Sequence, residues 1–176
     1  MLFRSIIERL PKYRLSPETT EKRDGYVHPH LVSGTVEEAT LKFLIRDFTV
    51  EGLKDKETFL ESMVQDVMVQ HPKAAMTFTV DESYRNMKYK LDEEPHVVEY
   101  ALEAVKRAGL TPIKSLIRGG TDGSKLSYQG LLTPNIFTGG HNFHSRQEWI
   151  SVQDMQKAVG VIVQLVQIWE EKSRTE

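Results

Sequence analysis

The spacing of apolar residues predicts four amphipathic helices along the chain. Apolar side chains recur every three or four positions over residues 2–10, 50–70, 96–108 and 152–169. In the last of these helices we expect a single apolar stripe to face the core. The members of this predicted stripe are Met155, Val159, Ile162, Leu165, Val166 and Trp169.

Extended runs between these helices predict β-strands. A strand-like run at 31–36 and an alternating run at 40–48 are separated by a short connection, which predicts a hairpin. Residues 76–80 also alternate apolar and polar side chains, as a half-buried strand does. Two shorter strand-like runs, 113–117 and 134–138, follow later in the chain.

The order of these elements predicts an α/β fold built from two regions. Residues 1–80 read α, β, β, α, β, with a surface loop expected over 15–29, whereas a complete ferredoxin-like unit reads β, α, β, β, α, β. We therefore expect an incomplete ferredoxin-like α+β domain first. Beyond it, helices alternate with short strands, which is typical of a parallel sheet. Because such a sheet needs more than two strands, we expect this region to be part of a larger α/β domain.

The composition narrows the possible chemistry. The chain has 176 residues, 39% hydrophobic and 27% charged, which is enough for one medium domain or two small ones. Its formal charge of −2 makes neither nucleic acid nor a membrane surface an expected partner. No apolar run approaches the roughly 20 residues of a membrane helix, so we expect a soluble, cytoplasmic protein. Because there is no cysteine, a metal would have to bind histidine and carboxylate side chains.

A glycine-rich segment beginning at Arg118 is the densest chemical signal. Gly119 and Gly120 would let backbone amides approach a ligand closely, and the Arg118 guanidinium matches a carboxylate or a phosphate. The spacing is equally compatible with a structural role, in which Thr121 or Asp122 caps the helix that follows.

A second signal is a pair of histidines, His141 and His144, which follows a predicted strand and a Gly-Gly pair. Their spacing alone does not define a zinc site, because the other ligands would have to come from elsewhere. Glu148 either orients His144 or is a surface carboxylate. Another predicted strand ends at Arg46 and Asp47. These residues have either a functional role or form an exposed ion pair, which would contribute little to stability.

Several of these segments together resemble the peptidase T family of tripeptide aminopeptidases, within the di-zinc aminopeptidase and acylase superfamily. The matching segments are 34–36, 44–48, 81–87, 117–123 and 135–140, and the similarity runs from about residue 2 to about residue 169. The resemblance implies that residues 1–85 form most of a lid domain. Residues 86–176 would be the C-terminal part of a zinc-binding catalytic domain.

The resemblance also implies roles for individual residues. His144 takes the position of the last ligand in a site for two zinc ions. The substrate's C-terminal carboxylate would be held by Arg46, Asn86 and Arg118, and the other substrate-binding residues would be Gly119, Gly120 and Thr121. The family's other zinc ligands and its general-base glutamate lie upstream of this chain, so no catalytic residue is expected in it and the chain alone should be inactive. His141 stands where the family often has tyrosine, and Gln147 where a second histidine is common; His141 is not expected to be a ligand.

The expected partners are tripeptides, an N-terminal half or a full-length subunit, and a second copy of the chain bound through the lid. Two further hypotheses remain open. The chain could be a non-catalytic binding or oligomerisation module, for which an exposed edge strand would be suited. It could instead be an anion- or phosphate-binding enzyme built on residues 118–123, although it carries no P-loop or dinucleotide fingerprint.

Overall fold

A computed structural model describes residues 2–174, and for Leu2 only the backbone. Over this range the chain forms six α-helices and four β-strands. The helices are α1 (Leu2–Arg9), α2 (Val50–Gln70), α3 (Lys88–Leu91), α4 (His96–Arg107), α5 (Asp122–Tyr128) and α6 (Val152–Ser173). The strands are β1 (Tyr26–Gly34), β2 (Ala39–Arg46), β3 (Gly140–His141) and β4 (Trp149–Ile150). The chain therefore combines helices with small sheets.

The chain divides into two compact units. The first contains the chain up to Ser83 together with Leu116–Gly120. The second contains Tyr84–Ser115 and the chain from Thr121 onward. The segment Leu116–Gly120 thus belongs to the first unit, although the chain on either side of it belongs to the second.

The first unit is a β-hairpin packed against two helices. β1 and β2 pair antiparallel from Tyr26 opposite Arg46 to Gly34 opposite Ala39, which confirms the predicted hairpin. Its core consists of Ile6, Val27, Leu60, Met63 and Val67. The predicted loop over 15–29 was wrong for its last residues, because β1 already begins at Tyr26. Pro29 lies at an irregularity in the pairing register, and this break hides the strand's alternation in the sequence.

The strand predicted over residues 76–80 does not form in the described structure. Met76 and Phe78 nevertheless pack against the core of the first unit, as their alternation predicted. The alternation reports which side chains face the core, whereas a strand also needs a hydrogen-bonded neighbour. The sheet of this unit therefore has two strands.

The second unit is built around the contact between α4 and α6. Its fully buried core residues are Ala104, Val161 and Ile168. At one end, the rings of His96, Tyr100 and Trp169 pack against each other with centroids 5.0–5.7 Å apart. The predicted helices over 96–108 and 152–169 are confirmed, and α6 continues to Ser173.

The predicted parallel sheet of the second region is not formed by residues 2–174. Neither 113–117 nor 134–138 pairs with another strand there, and the sheet of the second unit is the short antiparallel pair of β3 and β4. The apolar runs were identified correctly, but a run becomes a parallel strand only where a neighbouring strand accepts its hydrogen bonds.

The stripe predicted for α6 packs against the rest of the second unit only in part: Leu165 contacts the core, and the ring of Trp169 contacts Tyr100. The buried residues of α6 are Ala158, Val161 and Ile168, centred about a quarter of the helix circumference away from the centre of the predicted stripe. Four members of the predicted stripe are at least 45% exposed and are here called the α6 stripe: Met155 (45%), Val159 (56%), Ile162 (48%) and Val166 (63%). α6 thus carries two apolar faces, and periodicity cannot tell which one contacts α4. None of the helices in the described range is both long and apolar enough to span a bilayer.

Replacing Gly160 with alanine is expected to raise the free energy of unfolding by up to about 1 kcal/mol. Gly160 lies inside α6, and a Cβ added there would meet no atom within 4 Å. Urea unfolding measures the change, with Gly123→Ala as the matched control. At Gly123 the new Cβ would lie 2.4 Å from the Thr133 carbonyl oxygen, so that variant should lose stability. A Gly160→Ala protein no more stable than wild type contradicts the prediction.

Candidate functional site

The two arginines expected to bind a carboxylate are both related to Tyr26 in the first unit: Arg46 is its partner in the hairpin, and Arg118 lies over its ring. Val27 is buried in the core and pairs with Ile45. Successive side chains of a strand point to opposite faces, so the adjacent pair, Tyr26 and Arg46, lies on the other face of the hairpin. The guanidinium carbon of Arg118 lies 4.9 Å from the centroid of the Tyr26 ring.

The Arg118 guanidinium is held by the loop that precedes β1. Its Nη1 donates to the Thr20 carbonyl oxygen at 2.9 Å, and its Nη2 donates to Thr20 Oγ1 at 2.7 Å and to the Asp24 carbonyl oxygen at 3.0 Å. Nε is buried and has no hydrogen-bond partner among the described residues. Both two-donor edges of a guanidinium include Nη2, whose N–H groups are used here. Arg118 therefore offers a ligand its positive charge and one Nη1 N–H, and not an open fork.

The glycine-rich segment crosses the boundary between the units. Gly119 and Gly120 belong to the first unit with Arg118, and Thr121 belongs to the second. Thr121 is the N-cap residue of α5, but its side chain makes no capping bond; its hydroxyl accepts from Asn135 Nδ2 at 3.1 Å. Thr121 therefore occupies the N-cap position that the sequence allowed, but its side chain does not cap the helix.

Asn86 lies in a short segment that is tied to α5 within the second unit. The Tyr128 hydroxyl donates to the Asn86 carbonyl oxygen at 3.1 Å, and the Ser124 hydroxyl donates to that of Arg85. The Asn86 side-chain oxygen accepts from the Lys88 amide at 3.0 Å. Asn86 is thereby fixed at the start of α3, in the other unit from Arg46 and Arg118.

His144 follows β3 in a left-handed conformation with φ of 65° and is exposed. Its backbone N–H donates to Glu148 Oε2 at 2.8 Å, so Glu148 holds the main chain of His144 and not its imidazole. His141 stacks on Trp149 with ring centroids 4.2 Å apart and planes within 14°. This contact gives His141 a structural role.

The described residues do not form a complete metal site by themselves. Within residues 2–174, no three histidine or carboxylate side chains are grouped as metal ligands. Catalytic zinc is usually held by about three protein ligands. The imidazole of His144 is exposed, so a metal ion whose other ligands come from another polypeptide segment could reach it.

Asp47 is not the exposed ion-pair partner that the sequence allowed. Its carboxylate accepts from Lys56 Nζ at 2.5 Å and from the amide and hydroxyl of Thr49 at 2.9 and 3.0 Å. The Asp47 and Lys56 side chains are only 11% and 13% exposed. Burial, the largest influence, raises the pKa of Asp47, but the hydrogen bonds from Lys56 and Thr49 together hold that pKa below its ordinary value. The position of Asp47 two residues before the N-cap of α2 was the available sequence signal.

Residues 4–168 match the peptidase family M20/M25/M40. The chain belongs to this family. Among its relatives within the family, peptidase T of Clostridium perfringens SM101 is 44% identical over 156 residues, which are 89% of this chain and 38% of the relative. Peptidase T of Bacillus pumilus is 43% identical over 158 residues, or 90% of this chain and 38% of the relative. Peptidase T of Halothermothrix orenii is 39% identical over 172 residues, or 98% and 42%.

A solved structure of a named aminopeptidase supports the same fold. The crystal structure of aminopeptidase PepT from Bacillus cereus ATCC 10987 matches with a TM-score of 0.58 at 17% identity, covering 93% of this chain and 43% of that one. The expected resemblance to peptidase T is confirmed. The chain spans about two fifths of the length of these relatives.

Proposed function

We propose that this chain is the C-terminal portion of a di-zinc aminopeptidase that removes the N-terminal residue from tripeptides, and that it is inactive alone. The observation that carries the proposal is the 44% identity to peptidase T, confined to 38% of that relative's length. Residues 1–85 would be most of the lid and residues 86–176 the end of the catalytic domain. We also propose that the protein is located in the cytoplasm.

In this proposal the chain orients the substrate. Arg46 and Arg118 supply positive charge for the C-terminal carboxylate of the peptide, assisted by Asn86, Gly119, Gly120 and Thr121. Holding the substrate by that carboxylate fixes the distance to its first peptide bond and so favours tripeptides with a free C-terminus. His144 is this chain's ligand to one of two zinc ions, and the complete site would supply an activated water for attack on the scissile carbonyl.

The α6 stripe supports the involvement of a second polypeptide segment. Four apolar side chains lie along about 17 Å of the helix, at 1.5 Å per residue, and all are at least 45% exposed. Exposed apolar surface of this kind marks a contact site. We assign it to the part of a peptidase T chain that this chain does not span, present as an N-terminal half or within a full-length subunit.

Mixing the purified chain with the remaining portion of Clostridium perfringens peptidase T tests the proposal. Tripeptide hydrolysis and bound zinc are measured for the chain alone, for the partner alone and for the mixture. We expect turnover only in the mixture. Turnover by the chain alone, or none in a stable complex, contradicts the proposal.

A matched pair of double variants tests the contact surface in the same assay. Val159→Glu with Val166→Glu places charge on the α6 stripe and should prevent assembly. Gln156→Glu with Gln167→Glu adds the same charge at exposed polar positions of the same helix and should assemble like wild type. Wild type that forms a dimer instead, which the first pair disrupts, would assign the stripe to a second copy of the chain.

A further inference from the structure

Tyr26 is paired with one arginine in the hairpin and carries the guanidinium of another over its ring. In an antiparallel pair, directly opposite residues have Cβ atoms about 5 Å apart, so the side chain of Arg46 starts beside that of Tyr26. Arg118 reaches the same ring from a distant part of the sequence, with its guanidinium carbon 4.9 Å from the ring centroid. No pattern in the sequence indicates either contact.

The position of Arg118 on the hairpin face that also carries Arg46 needs a physical reason, because two like charges on one face repel each other. The negative face of an aromatic ring attracts a guanidinium. The Thr20 and Asp24 acceptors add three hydrogen bonds along the guanidinium edges. These contacts hold Arg118 in the first unit, to which its own segment, Leu116–Gly120, also belongs.

The arrangement favours an anion on the Tyr26 face of the hairpin. One guanidinium is held by the ring and the loop, and the other is carried by the last residue of β2. An ordered guanidinium attracts a carboxylate more strongly than a mobile one, because less side-chain entropy is lost when the ligand binds.

We propose that Tyr26 is a positioning residue for carboxylate recognition: its ring orders the Arg118 guanidinium beside Arg46 before the peptide arrives. This inference rests on the proposed function for the chemical identity of the anion, a peptide C-terminus. Tyr26 itself does not touch the substrate. Its hydroxyl is not required, so phenylalanine should replace it.

The first experiment detects the contact between the Tyr26 ring and the Arg118 guanidinium in the full chain. In a ¹⁵N-labelled sample, the Arg118 Nε–H resonance, assigned by its absence in Arg118→Lys, should carry an upfield ring-current shift. Tyr26→Phe should keep this shift and Tyr26→Ile, which preserves a strand-forming residue, should lose it. A resonance at the ordinary position in wild type overturns the proposal, even if Tyr26→Ile does not fold.

The second experiment measures how the Tyr26 ring affects the binding of a peptide carboxylate. Each protein is titrated with a tripeptide and with the same tripeptide amidated at its C-terminus, and the Kd values are compared. For the free acid, Tyr26→Ile should raise Kd by about two- to fivefold, the effect of one cation–π contact, while Tyr26→Phe binds like wild type. The weak binding of the amide should be the same in all three. A general loss of structure would weaken the binding of both peptides and would also move the amide resonances of Leu60, Met63 and Val67, core residues on α2.

The outcomes separate this inference from the proposed function. If wild type binds acid and amide equally but shows the ring-current shift, the carboxylate role fails while the ordering of Arg118 by Tyr26 stands. If wild type prefers the acid and Tyr26→Ile binds it equally well, the carboxylate role stands and the positioning role of Tyr26 is overturned.

Discussion

Replacing His144 with alanine is expected to abolish tripeptide hydrolysis by the assembled enzyme, lowering kcat by more than about 100-fold. Mutation of a residue that only supports a metal ligand commonly lowers metal affinity or activity by about 10- to 100-fold. Loss of the ligand itself should lower activity by at least as much as the upper end of that range. His144 has an exposed imidazole, and Glu148 holds only its backbone, so the side chain is free to bind a metal. The measurement is kcat together with zinc content in the reconstituted mixture.

His141→Phe is the matched control for this prediction. The ring of His141 stacks on Trp149, and phenylalanine preserves that stacking while removing both ring nitrogens. This variant should keep its zinc and its activity. A His144→Ala assembly with full zinc and activity, or a His141→Phe assembly that loses as much, would show that the ligand has been assigned to the wrong residue.

Replacing Lys56 with methionine is expected to lower the free energy of unfolding by about 3 kcal/mol, because it leaves a nearly buried carboxylate without its cation. Methionine keeps much of the length of the side chain, so the charge is the main loss. Lys54→Met is the control, since Lys54 is exposed on the same helix. Urea unfolding at pH 7 measures both variants. A Lys56→Met protein within about 0.5 kcal/mol of wild type would contradict the account of this pair.

The deficit of Lys56→Met should shrink as the pH falls. The pKa of Asp47 is lowered in the folded wild-type protein, so its stabilising contribution is complete above the unfolded value of about 3.9 and is lost as the pH falls through the lower folded pKa. Without Lys56, only the hydrogen bonds from Thr49 still oppose the effect of burial on the pKa of Asp47, so the carboxyl takes up a proton at a higher pH than in wild type and the unpaired charge disappears. Unfolding curves at pH 7 and pH 4 test this, and a constant deficit would argue against it.

Helices and the first hairpin were predictable because they depend on local periodicity. The boundaries of α2 agree with the predicted range, since Thr49 caps its start and His71 and Pro72 follow its end. The choice between the two apolar faces of α6 was not predictable. Which face contacts α4 depends on the close fit of Ala158 and Val161, and that is a property of the packed pair of helices.

The candidate site was predictable only as a set of residues. The sequence and its resemblance to peptidase T identified Arg46, Arg118 and His144, but spacing says nothing about the contacts between distant segments. Neither Tyr26 nor Thr20 was expected near Arg118, because both lie far upstream of it. The burial of Asp47 with Lys56 was missed for the same reason: exposure is decided by how α2 packs on the hairpin.

If a partner covers the α6 stripe, as we propose, the cellular abundance of this chain depends on the supply of that partner. A copy made without that partner presents Met155, Val159, Ile162 and Val166 to the surroundings. Chaperones and proteases recognise exposed apolar segments of this kind, and they remove chains that remain uncovered. Synthesis alone would then not set the level of the protein, because surplus copies would be cleared until the number of chains matched the number of partners.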